Sequence, residues 1–182
     1  MRILFWDLEL AKPIEDNGGW AGAKAGQCGC SILVIYDSDS RRYYLYDENQ
    51  LDEAVDHLNS ADVLVGFNTI DFDTPVIQNI TGRFLTVRQF DFLQAIWDEV
   101  GFRQKGWKLE QVAERTLGMH KMSSGKYATQ MAQDKEWGKL FTYCLWDVML
   151  LVDIWNHLAA GEALIGPDEE ELYISLPAEG TV

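Results

Sequence analysis

The apolar and polar positions of the chain follow patterns typical of a mixed α/β protein. The apolar run at residues 1–5 predicts a buried strand, and residues 31–36 and 42–46 predict two more strands on either side of a turn. Short connections of this kind join antiparallel strands, so the three strands should form a meander. The Gly-rich stretch at 11–29 predicts one long loop after the first strand.

The rest of the chain alternates helical and strand patterns. Thr74 and Pro75 are typical of a helix N-cap and first helical position, so a helix should start there. Apolar spacing predicts further helices at 51–58, 91–100, 109–117 and 136–160, the last being one bent helix or two. Short apolar runs predict strands at 62–66, 84–87 and 172–176. This order predicts a mixed sheet, an antiparallel meander with added parallel strands, flanked by helices.

Length and composition narrow the class of protein. The 182 residues are 47% hydrophobic and 24% charged, which favours a globular domain with a real core. We predict a domain at 1–165 and an acidic C-terminal tail at 166–182. The chain holds no apolar run long enough to cross a bilayer, and its first residues are unlike a signal peptide, so we expect a cytoplasmic protein without a membrane partner. Three cysteines without a zinc-knuckle spacing predict reduced thiols, at positions Cys28, Cys30 and Cys144.

Charge is unevenly distributed. The net charge of −14 argues against a simple nucleic-acid binder, because phosphates require positive partners. Residues 101–126 nevertheless carry six basic and two acidic side chains, whereas 162–182 carry six acids and no base. A basic rim beside an acidic centre is compatible with phosphate binding, and an ordinary solvated helix would account for the same window.

Two acids stand at the end of the first strand. Asp7 and Glu9 are two residues apart, so in a strand they point to the same face. Two carboxylates held close together are costly unless a cation joins them, which indicates a divalent metal. If instead the strand ends at Trp6, both are solvated loop residues.

Two further acidic positions lie where a site could form. Asp73 follows the predicted strand at 62–66, at the strand end where α/β sheets bind ligands; alternatively, Asp71 or Asp73 merely favours a helix N-terminus by its charge. Tyr143 and Asp147 share one face of the last long helix, where a simple Tyr–Asp hydrogen bond is the alternative; Asp153 is a rival acid without such a Tyr.

Together these residues resemble a known family. Asp7-x-Glu9, Asn68-x-x-x-Phe72-Asp73 and Tyr143-x-x-x-Asp147, in that order, resemble the three motifs of DEDDy DnaQ-like 3′–5′ exonucleases, of the ribonuclease H-like superfamily. They look most like the proofreading domain of family B DNA polymerases and its stand-alone relatives, over residues 1 to about 160. The histidine branch would place His at Thr142, so the tyrosine branch is implied.

The resemblance implies a ribonuclease H-like fold and a two-metal phosphodiesterase. Two Mg²⁺ or Mn²⁺ ions would be bound by Asp7, Glu9, Asp73 and Asp147, with Asp7 bridging them and Tyr143 orienting the attacking water. The reaction would release nucleoside 5′-monophosphates from the 3′ end of a single strand, DNA being favoured over RNA.

Candidate substrate-binding residues surround these motifs. Asn68 would position the Asp73 backbone or a sugar, and Leu8 or Leu10 would wedge against the terminal base. Lys121 and Lys126 would hold the phosphate track, although solvated loop lysines explain them equally well. Trp20 is a candidate stacking residue, and Phe72 is assigned to the core.

Two other functions fit the sequence. The chain would be a non-catalytic or partner-dependent module of the same fold if its acidic tail docks a replication or repair protein. It would be a nuclease that cuts internally if circular substrates are cleaved.

Overall fold

The computed structural model describes residues 1–119 and 126–178, and its centre is a five-stranded sheet with helices on both faces. The sheet strands are β1 (Ile3–Leu10), β2 (Cys30–Asp37), β3 (Arg42–Asp47), β4 (Val63–Gly66) and β5 (Arg88–Asp91). A separate hairpin follows near the C-terminus, β6 (Leu164–Ile165) and β7 (Glu171–Leu172). The helices are α1 (Gly19–Lys24), α2 (Leu51–Leu58), α3 (Asp73–Thr81), α4 (Phe92–Val100), α5 (Leu109–Leu117), α6 (Lys126–Gln133) and α7 (Trp137–Ala159).

The strand order is β3-β2-β1-β4-β5. The first three strands form the predicted antiparallel meander, and β4 and β5 join β1 in parallel. The mixed α/β sheet predicted from the sequence is therefore confirmed. Because β1, β4 and β5 are parallel, their carboxyl ends lie at one edge of the sheet, and this edge carries the candidate site.

The alternation of side chains along β1 separates two hydrophobic cores. Ile3 and Phe5 pack into the core covered by α4 to α7. Leu4 and Trp6 point the other way, into the core covered by α2 and α3. Since side chains two apart share a face, residues 7 and 9 of β1 continue the face covered by α7.

Two sequence predictions for loops and strands were wrong. The stretch at 11–29 contains a short helix, α1, instead of forming only a loop. The strand predicted at 84–87 lies at Arg88–Asp91. Phe84 is 72% exposed, and the preceding segment is clamped by side chains: the Asn59 amide donates to the Phe84 carbonyl, and the Leu85 N–H donates to the Gln78 Oε1.

Helix boundaries also differ in places. α3 begins at Asp73 with Phe72 at its N-cap, so Thr74 is not the cap; its hydroxyl donates to Gln89 Oε1 at 2.7 Å. Helix α6 and strand β6 were not predicted, and α7 is one helix of 23 residues. The terminal strand predicted at 172–176 is confined to Glu171–Leu172.

The C-terminal segment packs on the body of the protein. The predicted boundary between residues 165 and 166 falls inside the β6–β7 hairpin, and Leu172 is buried in the core beside α7. Arg115 Nε donates to the Ile165 carbonyl at 2.9 Å, which fastens the hairpin to α5. Residues 179–182 lie outside the described residues. None of the helices in the described ranges is both long and apolar enough to span a bilayer.

Candidate metal centre

Strand β1 presents two carboxylates to the face covered by α7. The strand runs through Leu10, and Asp7 and Glu9 pair with Val34 and Ile32 of β2, so the alternative in which the strand ends at Trp6 is wrong. Both acids are half-buried. The strand therefore holds them on one side of a regular ladder and does not leave them in a solvated loop.

Helix α7 places three buried side chains, Tyr143, Cys144 and Asp147, in its buried face. The Cys144 thiol donates to the main-chain oxygen of Asp7 at 3.5 Å and to its Oδ2 at 3.6 Å. One ligand atom from each of Asp7, Glu9 and Cys144 lies within 4.8 Å of the other two. The helix thus brings its own functional groups directly onto the acidic end of β1.

Cys144 was read from the sequence only as a reduced thiol. A signal for its position was present, because it lies three residues before Asp147 and so shares a helix face with that acid. Burial, then the charges of Asp7, Glu9 and Asp147, raises the pKa of the thiol well above its usual value. The thiol therefore stays protonated and acts as a hydrogen-bond donor to Asp7.

The Tyr143 hydroxyl lies close enough to several acids for their charges to shift its pKa. Burial, followed by the charges of Asp147, Glu9, Asp7 and Glu110, raises the pKa of its hydroxyl above the usual range. The phenol is therefore neutral at physiological pH. Because acids of β1, α5 and α7 all act on this one hydroxyl, the candidate residues of β1 and α7 share a single electrostatic environment.

Asp73, the first residue of α3, contacts β1 from the side of the sheet that α2 and α3 cover. Beyond the pairing of Phe5 with Val65, β1 has no partner residue in β4, which leaves a gap in the ladder. The N-terminus of α3 lies at this gap, and the Leu8 N–H donates to the Asp73 carboxylate. Burial, followed by the charge of Asp91, raises the pKa of Asp73 to about 8. A buried carboxyl beside another acid is costly to ionise without a cation.

The turn that carries Asp73 has a defined backbone. A Cβ at Gly66 would lie 2.2 Å from the Thr69 methyl group, so the close approach of Thr69 requires glycine. Asn68 adopts a φ of 62°, a left-handed conformation that asparagine tolerates. This geometry turns the chain back over the sheet edge immediately after β4.

Asp91 fastens this turn, and the sequence analysis did not identify that role. Its buried carboxylate accepts from the N–H groups of Asn68 at 2.7 Å and Ile70 at 3.0 Å. It also caps α4 by accepting from Leu93 and Gln94. An Asp before an apolar helix indicates an N-cap, but no local signal reveals bonds to a turn more than 20 residues away.

A cavity of about 580 Å³ opens beside Glu9. Leu8 and Leu10 line it, although both are mostly buried in the core on the α2 and α3 side of the sheet. Trp20, 65% exposed, stands at the same cavity with its ring edge-on to Phe72, the centroids 5.3 Å apart. Phe72 also packs against the core, as predicted.

The other candidates lie elsewhere. Asn68 lines a different cavity, beyond the carboxyl ends of β4 and β5. Asp153 lies on α7 near Tyr43 of the edge strand β3, where its charge contributes to raising the tyrosine pKa. Lys121 lies outside the described residues. Lys126 begins α6, but its side chain is also outside what the structure describes.

The donor set fits a hard divalent cation. Carboxylate oxygens are the ligands that Mg²⁺ and Mn²⁺ prefer. Asp7 and Glu9 lie together on β1, and Asp147 of α7 acts on the same Tyr143 hydroxyl as they do, whereas the contact of Asp73 with β1 is through the Leu8 N–H. The raised pKa of Tyr143 reflects burial and the negative charge of the acids around it, Asp147, Glu9 and Asp7. A cation bound there would relieve that repulsion.

Comparison with known proteins identifies the fold. The sequence matches no protein-family model, and no curated protein matches it. Among solved structures, the family B DNA polymerase of the hyperthermophilic archaeon Pyrobaculum calidifontis is similar, with a TM-score of 0.67 and 23% identity.

That similarity covers 87% of this chain and 24% of the polymerase, so the chain spans about a quarter of the length of its structural neighbour. At this level of identity the likeness shows the fold alone. The fold is a ribonuclease H-like mixed sheet flanked by helices, as the sequence predicted.

Proposed function

We propose that this chain is a metal-dependent 3′–5′ exonuclease that acts on single-stranded nucleic acid. The observation that carries the proposal is the convergence of Asp7 and Glu9 with Tyr143 and Asp147 on one face of the sheet. Asp73 approaches the same part of β1 through the Leu8 N–H. The structural neighbour is a DNA polymerase, which supports nucleic acid as the substrate and favours DNA over RNA.

Four carboxylates would hold the metal ions: Asp7, Glu9, Asp73 and Asp147. Bound Mg²⁺ or Mn²⁺ supplies an activated water and stabilises the charge that develops on the phosphate oxygens. Asp7 would be the central ligand because it lies beside Glu9 of its own strand and accepts from the Cys144 thiol of α7. The Cys144 thiol, by donating to Asp7, fixes the orientation of that carboxylate.

Tyr143 orients the attacking water and does not act as a base. Its raised pKa keeps the phenol protonated, so it can exchange hydrogen bonds with water without changing charge. The water oxygen forms a bond to phosphorus while the bond from phosphorus to the 3′ oxygen breaks. The attacking water loses a proton to solvent and the leaving 3′ oxygen gains one from solvent, so the products are a nucleoside 5′-monophosphate and a shortened strand with a 3′ hydroxyl.

The cavity beside Glu9 is proposed to hold the terminal nucleotide. Its walls combine apolar side chains, Leu8 and Leu10, with the exposed indole of Trp20. Aromatic rings bind unpaired bases by stacking on them. This arrangement favours a single strand with a free end.

The test is cleavage of 5′-labelled single-stranded DNA and its RNA counterpart with Mg²⁺ or Mn²⁺. Asp7→Asn removes the proposed central metal ligand and should abolish cleavage. Asp153→Asn is the matched control, because it neutralises another half-buried acid that lies near Tyr43. We expect a ladder that shortens from the 3′ end, no ladder for Asp7→Asn, and an unaltered ladder for Asp153→Asn.

Three results would contradict the proposal. Cleavage of a circular strand would identify an internally cutting nuclease. Equal activity of Asp7→Asn and the unaltered protein would remove the metal centre from the reaction. No cleavage of either strand with either metal would favour a partner-dependent or non-catalytic module.

A further inference from the structure

A second cavity, of about 320 Å³, opens beyond the carboxyl ends of β4 and β5. None of its lining residues belongs to the candidate metal centre, but it adjoins the turn that leads to Asp73. Side chains able to hydrogen-bond or stack line it: Asn68, Gln94, Trp97, Asp98, Phe102 and Arg103. Its volume lies near the lower limit for small-molecule sites, which suits one nucleobase.

The wall of this cavity continues into an exposed loop between α4 and α5, residues 101–108. Phe102 is 60% exposed, although an aromatic ring gains most by leaving water. The Arg103 guanidinium lies 4.7 Å from the centre of the Trp97 ring and 3.4 Å from Asp71 Oδ2. Contacts on two sides thus hold Arg103 at the rim, while its side chain remains 74% exposed.

The charge of this loop is opposite to that of the chain. Its three ionisable side chains are Arg103, Lys105 and Lys108, all exposed and all basic, in a protein of net charge −14. The buried Trp107 anchors the loop, and Arg115 donates to the Gly106 carbonyl at 2.8 Å. The cations are therefore presented on a segment that is fastened to the body of the protein.

The topology places this loop between the cavity and the candidate metal centre. Because β1, β4 and β5 are neighbouring parallel strands, the end of β5 lies two strand spacings, roughly 10 Å, from β1. Arg103 contacts Asp71, two residues from Asp73. At the other end of the loop, Glu110 in the first turn of α5 is one of the acids acting on Tyr143.

We propose that the cavity and the α4–α5 loop bind the single strand upstream of its 3′ end. One base enters the cavity and stacks on Phe102, while Arg103, Lys105 and Lys108 contact the phosphates that follow. This inference rests on the proposed function, because the strand is oriented by placing its 3′ end at the metal centre. Aromatic rings interleaved with cations are the usual means of binding unpaired strands.

The acids of the cavity support a base over a phosphate as its occupant. Asp71 and Asp98 both face the cavity, and carboxylates repel phosphate but accept hydrogen bonds from amino groups of bases. The amide side chains of Asn68 and Gln94 add both donors and acceptors. Phosphate contacts are therefore assigned to the outer, basic side of the loop.

The test is equilibrium binding of a fluorescent single-stranded DNA to the full chain in EDTA, where metal-dependent cleavage cannot occur. Phe102→Ala should weaken binding about five- to 140-fold, the range measured for the loss of one stacked base. Phe84→Ala is the matched control, because Phe84 is 72% exposed and precedes the opposite end of β5. It should bind as the unaltered protein does.

The basic residues of the loop are tested separately, by the salt dependence of the binding affinity. Replacing Lys105 and Lys108 together with Ala should reduce the slope of log affinity against log salt by about 1.4, if each contacts one phosphate of a single strand. The loss caused by Phe102→Ala should also be larger for a long strand than for a dinucleotide, which occupies only the region of the metal centre.

The outcomes separate this inference from the proposed function. If the protein shortens strands from the 3′ end but Phe102→Ala and the double lysine variant bind a long strand as Phe84→Ala does, the inference is wrong and the nuclease stands. If these variants weaken binding but no cleavage occurs with either metal, the binding surface stands and the nuclease is wrong.

Discussion

Replacing Asp73 with Asn tests whether the candidate metal centre destabilises the metal-free protein. Burial, followed by the charge of Asp91, raises the pKa of Asp73 from 3.8 to about 8. Above pH 3.8 the unfolded chain loses this proton, whereas the folded chain retains it until about pH 8. The folded state then binds more protons, so the free energy of unfolding falls as the pH rises through this window.

The size of the expected stability difference follows from the pKa shift of Asp73. Each pKa unit corresponds to about 1.36 kcal/mol, so about three pH units between pH 3.8 and neutrality give about 4 kcal/mol. Asn has almost the same shape as a protonated Asp, and its oxygen can still accept from the Leu8 N–H. Because Asn does not titrate, Asp73→Asn should be more stable than the unaltered protein by about this amount near pH 7.

Urea unfolding in EDTA, from about pH 4 to about pH 8, measures this difference. The stability of Asp73→Asn relative to the unaltered protein should grow steadily with pH. Asp16→Asn, which removes the same charge at an exposed position, is the control. A difference that does not change with pH, or a variant less stable throughout, would refute the reasoning. Added Mg²⁺ or Mn²⁺ should stabilise the unaltered protein more than the variant.

Two other acids have structural roles that can be measured. Asp91→Ala should lower the free energy of unfolding by about 3–5 kcal/mol, because it leaves two partly buried N–H groups of the 68–70 turn without this acceptor and removes the cap of α4. Asp91→Asn should cost less, and equal values for the two variants in urea unfolding would contradict this role. Burial of Asp37 opposes its ionisation, but hydrogen bonds from Arg2, the Asp39 backbone and Ser40 outweigh it and lower the pKa to about 2. Asp37→Asn should therefore lower stability by up to about 2 kcal/mol at pH 7, and the loss should disappear as the pH falls from about 4 to about 2; a loss that persists at acid pH would contradict the ion pair.

Elements with a strong local pattern could be predicted from the sequence almost to the residue. Helices α2 and α5 match their predictions because apolar residues recur with helical spacing, and Gly118 ends α5 in a left-handed conformation. The strand at 84–87 could not be placed correctly, because contacts with Gln78 of α3 and with the more distant Asn59 hold that run outside the sheet. An apolar run predicts a strand, but tertiary contacts decide where it pairs.

The candidate site was predictable to the extent that it depends on periodicity. Asp7 and Glu9 were predicted to share a face, because every second residue of a strand does, and the structure places them so. The thiol of Cys144 on Asp7 and the bonds from the 68–70 turn to Asp91 join residues far apart in sequence. Such contacts leave no local pattern, so only the three-dimensional arrangement reveals them.

The net charge of −14 has a consequence for how a strand would reach the site. Unlike a basic nucleic-acid binder, this protein repels phosphates at long range, and the cations of the α4–α5 loop attract them at contact. Salt screens the long-range repulsion, because the Debye length is about 10 Å at 0.1 M. The association rate should therefore rise or stay level as salt increases, while the dissociation rate also rises because the phosphate contacts weaken. Stopped-flow measurements with a fluorescent single strand separate the two rates. A steep fall in the association rate with salt would mean that an attractive field dominates the approach, and would contradict this reasoning.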